Sequence, residues 1–261
     1  MEKINKCIYT CELQNYETKE RKAMPTSPAP GLVLVCNWGW ATREINTFYN
    51  HFCKIIKDSF SSFVYMYPSH ASHITVATLS SFKEKDAPRG MIKQGQNILS
   101  NNMSEDDKIF IESWGNEIKN NILKEGVKSF EIECIDVWFT PAAIIFIFKD
   151  ESGTIEKIRN KLKESVSKSD HLKDMDEKFD GAISKYLHCP NIIHSSFSRY
   201  TKDITDKAEI DHYVNQFNNV IMKEFKPFKL NINNISLCNE YIPYMHMDRE
   251  KGCVFDHPLL V

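Results

Sequence analysis

Apolar residues along the chain fall into two periods. Short runs that are continuous, or alternate in steps of two, predict strands: LVLVC at 32–36, FVYMY at 63–67, HITVATL at 73–79 and FEIECIDVWF at 130–139. AAIIFIF at 142–148, IIHSSFS at 192–198, FKLNINNISL at 228–237 and YIPYMHM at 241–247 read the same way. Pro243, which has no N–H for a ladder, puts the last of these at a sheet edge. A helical period predicts a helix from Thr42 to about Phe60, with Ile45, Phe48, Tyr49, Phe52, Ile55 and Ile56 on one face. Further helices are expected over 105–124, opened by Ser104, and over 154–167. A last one covers 206–225, where Ile210, Tyr213, Val214, Phe217, Val220 and Ile221 align. The lysine- and aspartate-rich stretch from 168 to about 187 fits neither period.

The order of these elements repeats. Strand 73–79 is followed by a helix and two strands, and so is strand 192–198. Each first strand carries a His-x-Thr/Ser sequence, and Pro68 or Pro190 lies just upstream. An internal repeat outweighs any single propensity. The expected fold is α/β, of the α+β type: two pseudo-symmetric lobes of antiparallel sheet backed by helices. AMPTSPAPG, with three prolines at 23–31, blocks helix and central strand alike. Residues 1–30 are therefore read as an extension and lead-in, and 31–261 as the bilobal domain.

Composition changes little in this picture. The 33 basic and 35 acidic side chains nearly balance, which argues against a protein that coats long nucleic acid and allows a short anionic substrate. No run approaches the ~18 apolar residues of a membrane span, and the N-terminus lacks a signal-like apolar segment. The expected compartment is the cytoplasm, with the nucleus as the alternative, and the sequons at Asn102 and Asn234 would then go unused. Eight cysteines without a C-x-x-C, several of them inside apolar runs, predict reduced and mostly buried thiols.

The histidines carry the candidate chemistry. On a strand, residues i and i+2 share a face. His73 and Thr75 thus point one way while Ile74 and Val76 point to the core. His194 and Ser196 likewise share a face opposite Ile193 and Phe197. Ser195, on the core side, is a discord in the pattern. Nine histidines give roughly one H-x-[ST] by chance, and three occur, the third being His70-Ala-Ser72. The tripeptide gains weight only from its place in a repeated strand. In-line attack at phosphorus needs one group to take a proton from the entering oxygen. Another must give one to the leaving oxygen on the opposite side. Two facing imidazoles meet that need, and two hydroxyls can bond the non-bridging oxygens as charge builds.

HITV at 73–76 and HSSF at 194–197 resemble the paired H-x-[ST]-x motifs of the 2H phosphoesterase superfamily. That group includes RNA 2′,3′-cyclic phosphodiesterases (also called 2′-5′ RNA ligases), 2′-5′ oligoadenylate phosphodiesterases and a spliceosomal-RNA 3′-end exonuclease. The resemblance spans roughly Gly31 to Met247. It implies two lobes that each give one His and one Thr or Ser to a central cleft: His73 with Thr75, and His194 with Ser196. It also implies a metal-independent phosphodiesterase without cofactor, acting on short RNA, an oligonucleotide or a cyclic nucleotide, and working as a monomer. The alternative from another class is a module of the same fold that binds a nucleotide or RNA end without turnover.

Other constellations compete. His70 and His73 with His188, Cys189 or His194 would offer nitrogen and sulfur ligands for zinc. An offset of three on a strand points opposite ways, however, and His70 is expected in the loop after Pro68. GMIKQGQN at 90–97 lacks the Lys-Ser/Thr of a phosphate loop and reads as a turn. Trp38, Trp40, Tyr65 and Tyr67 are candidate surfaces for a base, against a default of core packing. Lys83, Lys85 and Arg89 follow the first motif, and Arg199 and Lys202 the second. Arg199 is the best placed of these for a phosphate.

Overall fold

The computed structural model describes residues 31–43, 46–60, 63–80, 105–124, 126–140, 143–178, 181, 183–184, 187–200, 206–240 and 243–260. The N-terminal extension, the segment 81–104 with Lys83, Lys85, Arg89 and the 90–97 turn, the sequon residue Asn102, and Lys202 lie outside the described residues.

Among the described residues, ten strands form two four-stranded antiparallel sheets and one two-stranded ribbon. The strands are β1 (Leu32–Cys36), β2 (Val64–Met66), β3 (Ile74–Ser80), β4 (Phe130–Phe139) and β5 (Ile144–Lys149). They continue with β6 (Ile193–Ser196), β7 (Ser198–Tyr200), β8 (Phe228–Ile232), β9 (Asn234–Asn239) and β10 (Cys253–Pro258). One sheet has the order β10–β9–β1–β3 and the other β6–β5–β4–β8, while β2 pairs with β7. The helices are α1 (Trp40–Arg43), α2 (Asn46–Phe60), α3 (Glu105–Glu117) and α4 (Thr154–Lys168). They are followed by α5 (Asp170–Lys178), α6 (Lys207–Gln216), α7 (Met222–Glu224) and α8 (Arg249–Gly252). Antiparallel sheets backed by helices are the predicted class. The chain crosses between the sheets, however: β4 and β5, which follow β3, pair with β6, and β9, which follows β8, returns to β1.

β1 and β5 are buried on both faces, which is why they read as unbroken apolar runs. Leu32, Leu34 and Cys36 of β1 and Ile144, Phe146 and Phe148 of β5 enter one shared core with Phe52, Ile56 and Phe60 of α2. The alternate residues face the other way. Val33 and Val35 pack with Trp38, Cys238, Met245 and Met247, and Ile145 and Ile147 pack with Ala143, Trp138 and Ile192. Directly paired residues in an antiparallel ladder share a face. Thr75 lies opposite Val35, and His194 and Ser196 lie opposite Ile147 and Ile145. Both motif pairs thus emerge on the side away from the main core, each beside its own small cluster.

β3 and β6 are edge strands of their respective sheets. The chain leading into β6 covers the edge of β3, where Thr78 and His188 exchange two backbone hydrogen bonds of 2.8 Å. β3 holds two extra residues against β1, one of them at Val76, because Leu34 pairs with Ala77 and Val35 with Thr75. This bulge at Val76 falls beside the first motif, where such irregularities re-aim side chains.

Four local expectations change. The run 228–237, read as one strand, divides at Asn233 into β8 and β9, which join different sheets. The strand expected at 241–247 is instead a 3₁₀ turn at Pro243–Met245, with Tyr244 at φ 61° and Met245 at φ 60°. The cause is Glu240, whose buried carboxylate accepts the Met245 N–H at 2.8 Å and so turns the backbone inward. The edge it vacates is taken by β10, which pairs with β9. The run 192–198 is two strands, split at Phe197 so that β7 can leave β5 and join β2. Part of the stretch that fitted neither period is α5, docked through Leu172 and Met175.

Candidate active site

His73 precedes β3 and is reached through a 3₁₀ turn, Ser69–Ala71. That turn is fixed from behind: Gly39 N–H donates to the Ser72 carbonyl at 2.6 Å and Ala41 N–H to Ser72 Oγ at 2.8 Å. Nδ1 of His73 stands 2.8 Å from the Ala71 carbonyl. A carbonyl only accepts, so Nδ1 carries the proton and Nε2 keeps its lone pair. At His194 the Ile192 carbonyl, again two residues upstream, approaches the ring without a fully formed hydrogen bond to Nδ1. His73, Thr75, His194 and Ser196 are all half-buried while Ile74, Val76, Ser195 and Phe197 are fully buried; Ile193, expected on the core side of the second motif, is half-buried as well. The discord at Ser195 resolves in the core, where its hydroxyl accepts from Trp40 Nε1 at 3.1 Å.

His73 lies within the electrostatic reach of His194. Burial pushes His73 down to about 4, opposed by the Ala71 carbonyl and assisted by His194, His246 and Arg199. Burial also pushes His194 down to about 4, with Arg199 the next largest cause. Both rings are therefore neutral near pH 7, the form that accepts a proton.

Arg199 lies on β7 opposite Tyr65. Its Nε donates to Tyr67 Oη at 2.9 Å, and its guanidinium sits 4.1 Å above the ring of Tyr244. This cation reaches both histidines and Glu240 electrostatically, so the structure brings Arg199 together with both motif pairs.

The aromatic candidates divide. Trp40 is 1% exposed and packed among Tyr49, Phe146, Phe148 and Phe228, so it is a core residue and not a platform for a base. Trp38, also 1% exposed, packs in the small cluster over β1 with the Arg249 guanidinium 5.7 Å from its ring centroid. Tyr67 is 3% exposed, and its hydroxyl holds Arg199 in place. Tyr65 keeps an accessible ring. The zinc alternative is not assembled, because no three His, Cys, Asp or Glu side chains are grouped to hold a metal ion among the described residues. His70 is exposed on the 69–71 turn after Pro68 and, with Trp38 and Arg249, lines a cavity of about 470 Å³ beside His246.

Two residues at the site were missed from sequence. His246 lies edge-on to Tyr67, with ring centroids 4.5 Å apart, and its Nδ1 is 3.0 Å from the Tyr244 carbonyl. Nothing in YMHMD marks it, because its place depends on the turn that Glu240 holds. Arg159 on α4 donates to backbone of both motif segments. Its one visible signal is that it falls on the apolar stripe of Ile155, Ile158 and Leu162.

No family model matches the chain, and no curated protein matches it. Among solved structures it is similar to the conserved protein of unknown function ATU0111 from Agrobacterium tumefaciens strain C58. The identity is 12% and the TM-score 0.48, over 90% of this chain and 86% of that one. It is also similar to TT0787 of Thermus thermophilus, at 10% identity and TM-score 0.42 over 88% and 97% of the two chains. Escherichia coli LigT in its apo form gives 8% identity and TM-score 0.42 over 90% and 100%. Overlaps this distant leave the chemistry to be argued from the residues themselves.

Proposed function

We propose that this chain is a metal-independent phosphodiesterase of the 2H phosphoesterase type. Its substrate class is RNA ends with 2′,3′-cyclic phosphate, 2′-5′ linkages or cyclic nucleotides. The observation that carries the reading is the pair of His-x-Thr/Ser faces. They come from edge strands of two different sheets, both turned away from the main core, with His194 among the groups that lower His73. One imidazole takes the proton of the entering oxygen, the other returns a proton to the leaving oxygen, and the roles exchange with the direction of attack. Thr75 and Ser196 donate to the non-bridging oxygens, and Arg199 offsets the growing negative charge.

The neutral rest state fits this cycle. A phosphate anion in the cleft would raise the histidines that burial and Arg199 hold down, so the acid acquires its proton as substrate binds.

The test is turnover of 2′,3′-cyclic, 2′-5′-linked and 3′-5′ substrates with EDTA present, using wild type, His73→Ala and His194→Ala. Each substitution should cost on the order of 10²–10⁴ in rate, and Thr75→Ala or Ser196→Ala about 10²-fold. Binding without turnover across the panel would make the chain a nucleotide-binding module of the same fold. Activity surviving both histidine substitutions would move the site elsewhere.

A further inference from the structure

Arg159 is 2% exposed, an extreme degree of burial for a cation on a surface helix. Its Nε donates to the Val76 carbonyl at 3.0 Å, and its Nη2 donates to the carbonyls of Thr75 at 3.2 Å and Ile192 at 3.1 Å. The nearest carboxylate, Glu156, is 3.7 Å from Nη1 and itself largely exposed. The guanidinium is therefore held by backbone, and by backbone of two sheets at once.

The carbonyls it selects matter. Thr75 belongs to the first motif pair, and Val76 forms the bulge that follows it. Ile192 supplies the carbonyl that approaches the ring of His194. A single nitrogen bonds both Thr75 and Ile192, so these oxygens lie no farther apart than the sum of two hydrogen bonds. Across the described residues the two sheets share no strand pairing, since β3 and β6 are both edges. The guanidinium ties those edges together at the point where the motifs begin.

We propose that Arg159 is a positioning residue that fixes the spacing and orientation of the two His-x-Thr/Ser pairs. The kinetic part rests on the phosphodiesterase reading above. Arginine suits the task because its planar fork presents several donors at fixed angles, whereas lysine offers one tetrahedral ammonium. A cation so close to the second motif also bears on the titration of His194. The other groups that bear on that ring are Arg199 from β7 and His188 from the segment before β6, together with His73, which His194 itself lowers.

The experiment uses the full chain as wild type, Arg159→Lys and Arg159→Gln. It combines steady-state kinetics on the best substrate of the panel with an NMR titration of the His194 ring. Both variants should lose about 10²-fold in kcat, the scale of a small misplacement of reacting groups, with KM changed less than about threefold. The NMR arm separates charge from shape. Arg159→Gln removes the cation and should shift the His194 midpoint upward, while Arg159→Lys keeps the charge and should leave it near the wild-type value.

A kcat within about twofold of wild type in both folded variants would overturn the proposal. So would an unshifted midpoint in Arg159→Gln. A chain that fails to fold with either substitution assigns Arg159 to stability alone and overturns it as well. If no substrate of the panel is turned over, the phosphodiesterase reading fails instead. The titration and the affinity of inorganic phosphate then decide whether Arg159 still sets the geometry of the two rings: a changed midpoint with weaker phosphate binding supports it, and unchanged values refute it.

Discussion

The buried histidine pair should make stability fall on mild acidification, and the effect can be isolated by replacing both rings. His73 and His194 sit at about 4 in the folded chain against an ordinary value of 6.5. The unfolded chain therefore binds more protons than the folded one throughout that window. The stability the neutral rings contribute is fully present above about pH 6.5 and is lost as pH falls towards about 4. Between about pH 7 and about pH 5 the loss is about 2 kcal/mol for each ring. His73→Gln/His194→Gln removes both titrations and leaves every other group common to the two proteins. Urea unfolding of each protein at the two pH values gives the comparison. Wild type should lose about 4 kcal/mol more than the double variant, a difference of about 1–2 M in the relative shift of midpoints. Equal pH dependence in the two proteins, within about 1 kcal/mol, would refute the burial of the rings and with it the neutral rest state of the proposed cycle.

Two further outcomes follow from the same structure. Glu240, 4% exposed, is raised to about 7 by burial against an ordinary 4.5, so the folded chain holds its proton longer and stability is lost as pH rises through 7. Glu240→Gln should gain about 2–3 kcal/mol relative to wild type between about pH 5 and about pH 8 in chemical denaturation. A gap that does not change with pH would contradict the buried carboxylate. Trp40→Phe leaves the Ser195 hydroxyl without its donor and should cost about 1–3 kcal/mol, with the KM of the folded variant unchanged. A several-fold rise in KM at unaltered stability would restore Trp40 as a substrate contact.

Sequence and structure agree wherever a side chain's direction follows from local geometry. The two-residue period of a strand put His73 beside Thr75 and His194 beside Ser196, each opposite core residues. The exposure pattern repeats that arrangement except at Ile193, which is half-buried like His194. FEIECIDVWF became β4 with unchanged limits because its alternation is long. The helical stripe of α2 was legible for the same reason, and that of 206–225 in part: the helix widens to a π turn at Phe217–Ile221, which leaves Val220 exposed. The antiparallel class followed from short strands and their order. Periodicity is silent where one residue's partner lies far away in sequence. YIPYMHM has the composition of a strand, yet Glu240 captures the Met245 N–H and makes it a turn that sets His246 beside Tyr67.

Trp40 is chemically as fit to stack on a base as to pack in a core, and only the convergence of β5, β8 and α2 around it decides. Arg159 carries the same lesson with the sign reversed. Its sequence context is an ordinary charged helix, and its role arises from two strands brought to one guanidinium by tertiary packing. The order of residues alone was enough to say which of them share a face, which faces are apolar, and which histidines stand with a hydroxyl. Those depend on torsions and periods within one element. It took the packed chain to establish that the sheets exchange strands, that His73 lies within the electrostatic reach of His194, and that one buried cation joins them. Those depend on distances between elements, which no local period encodes.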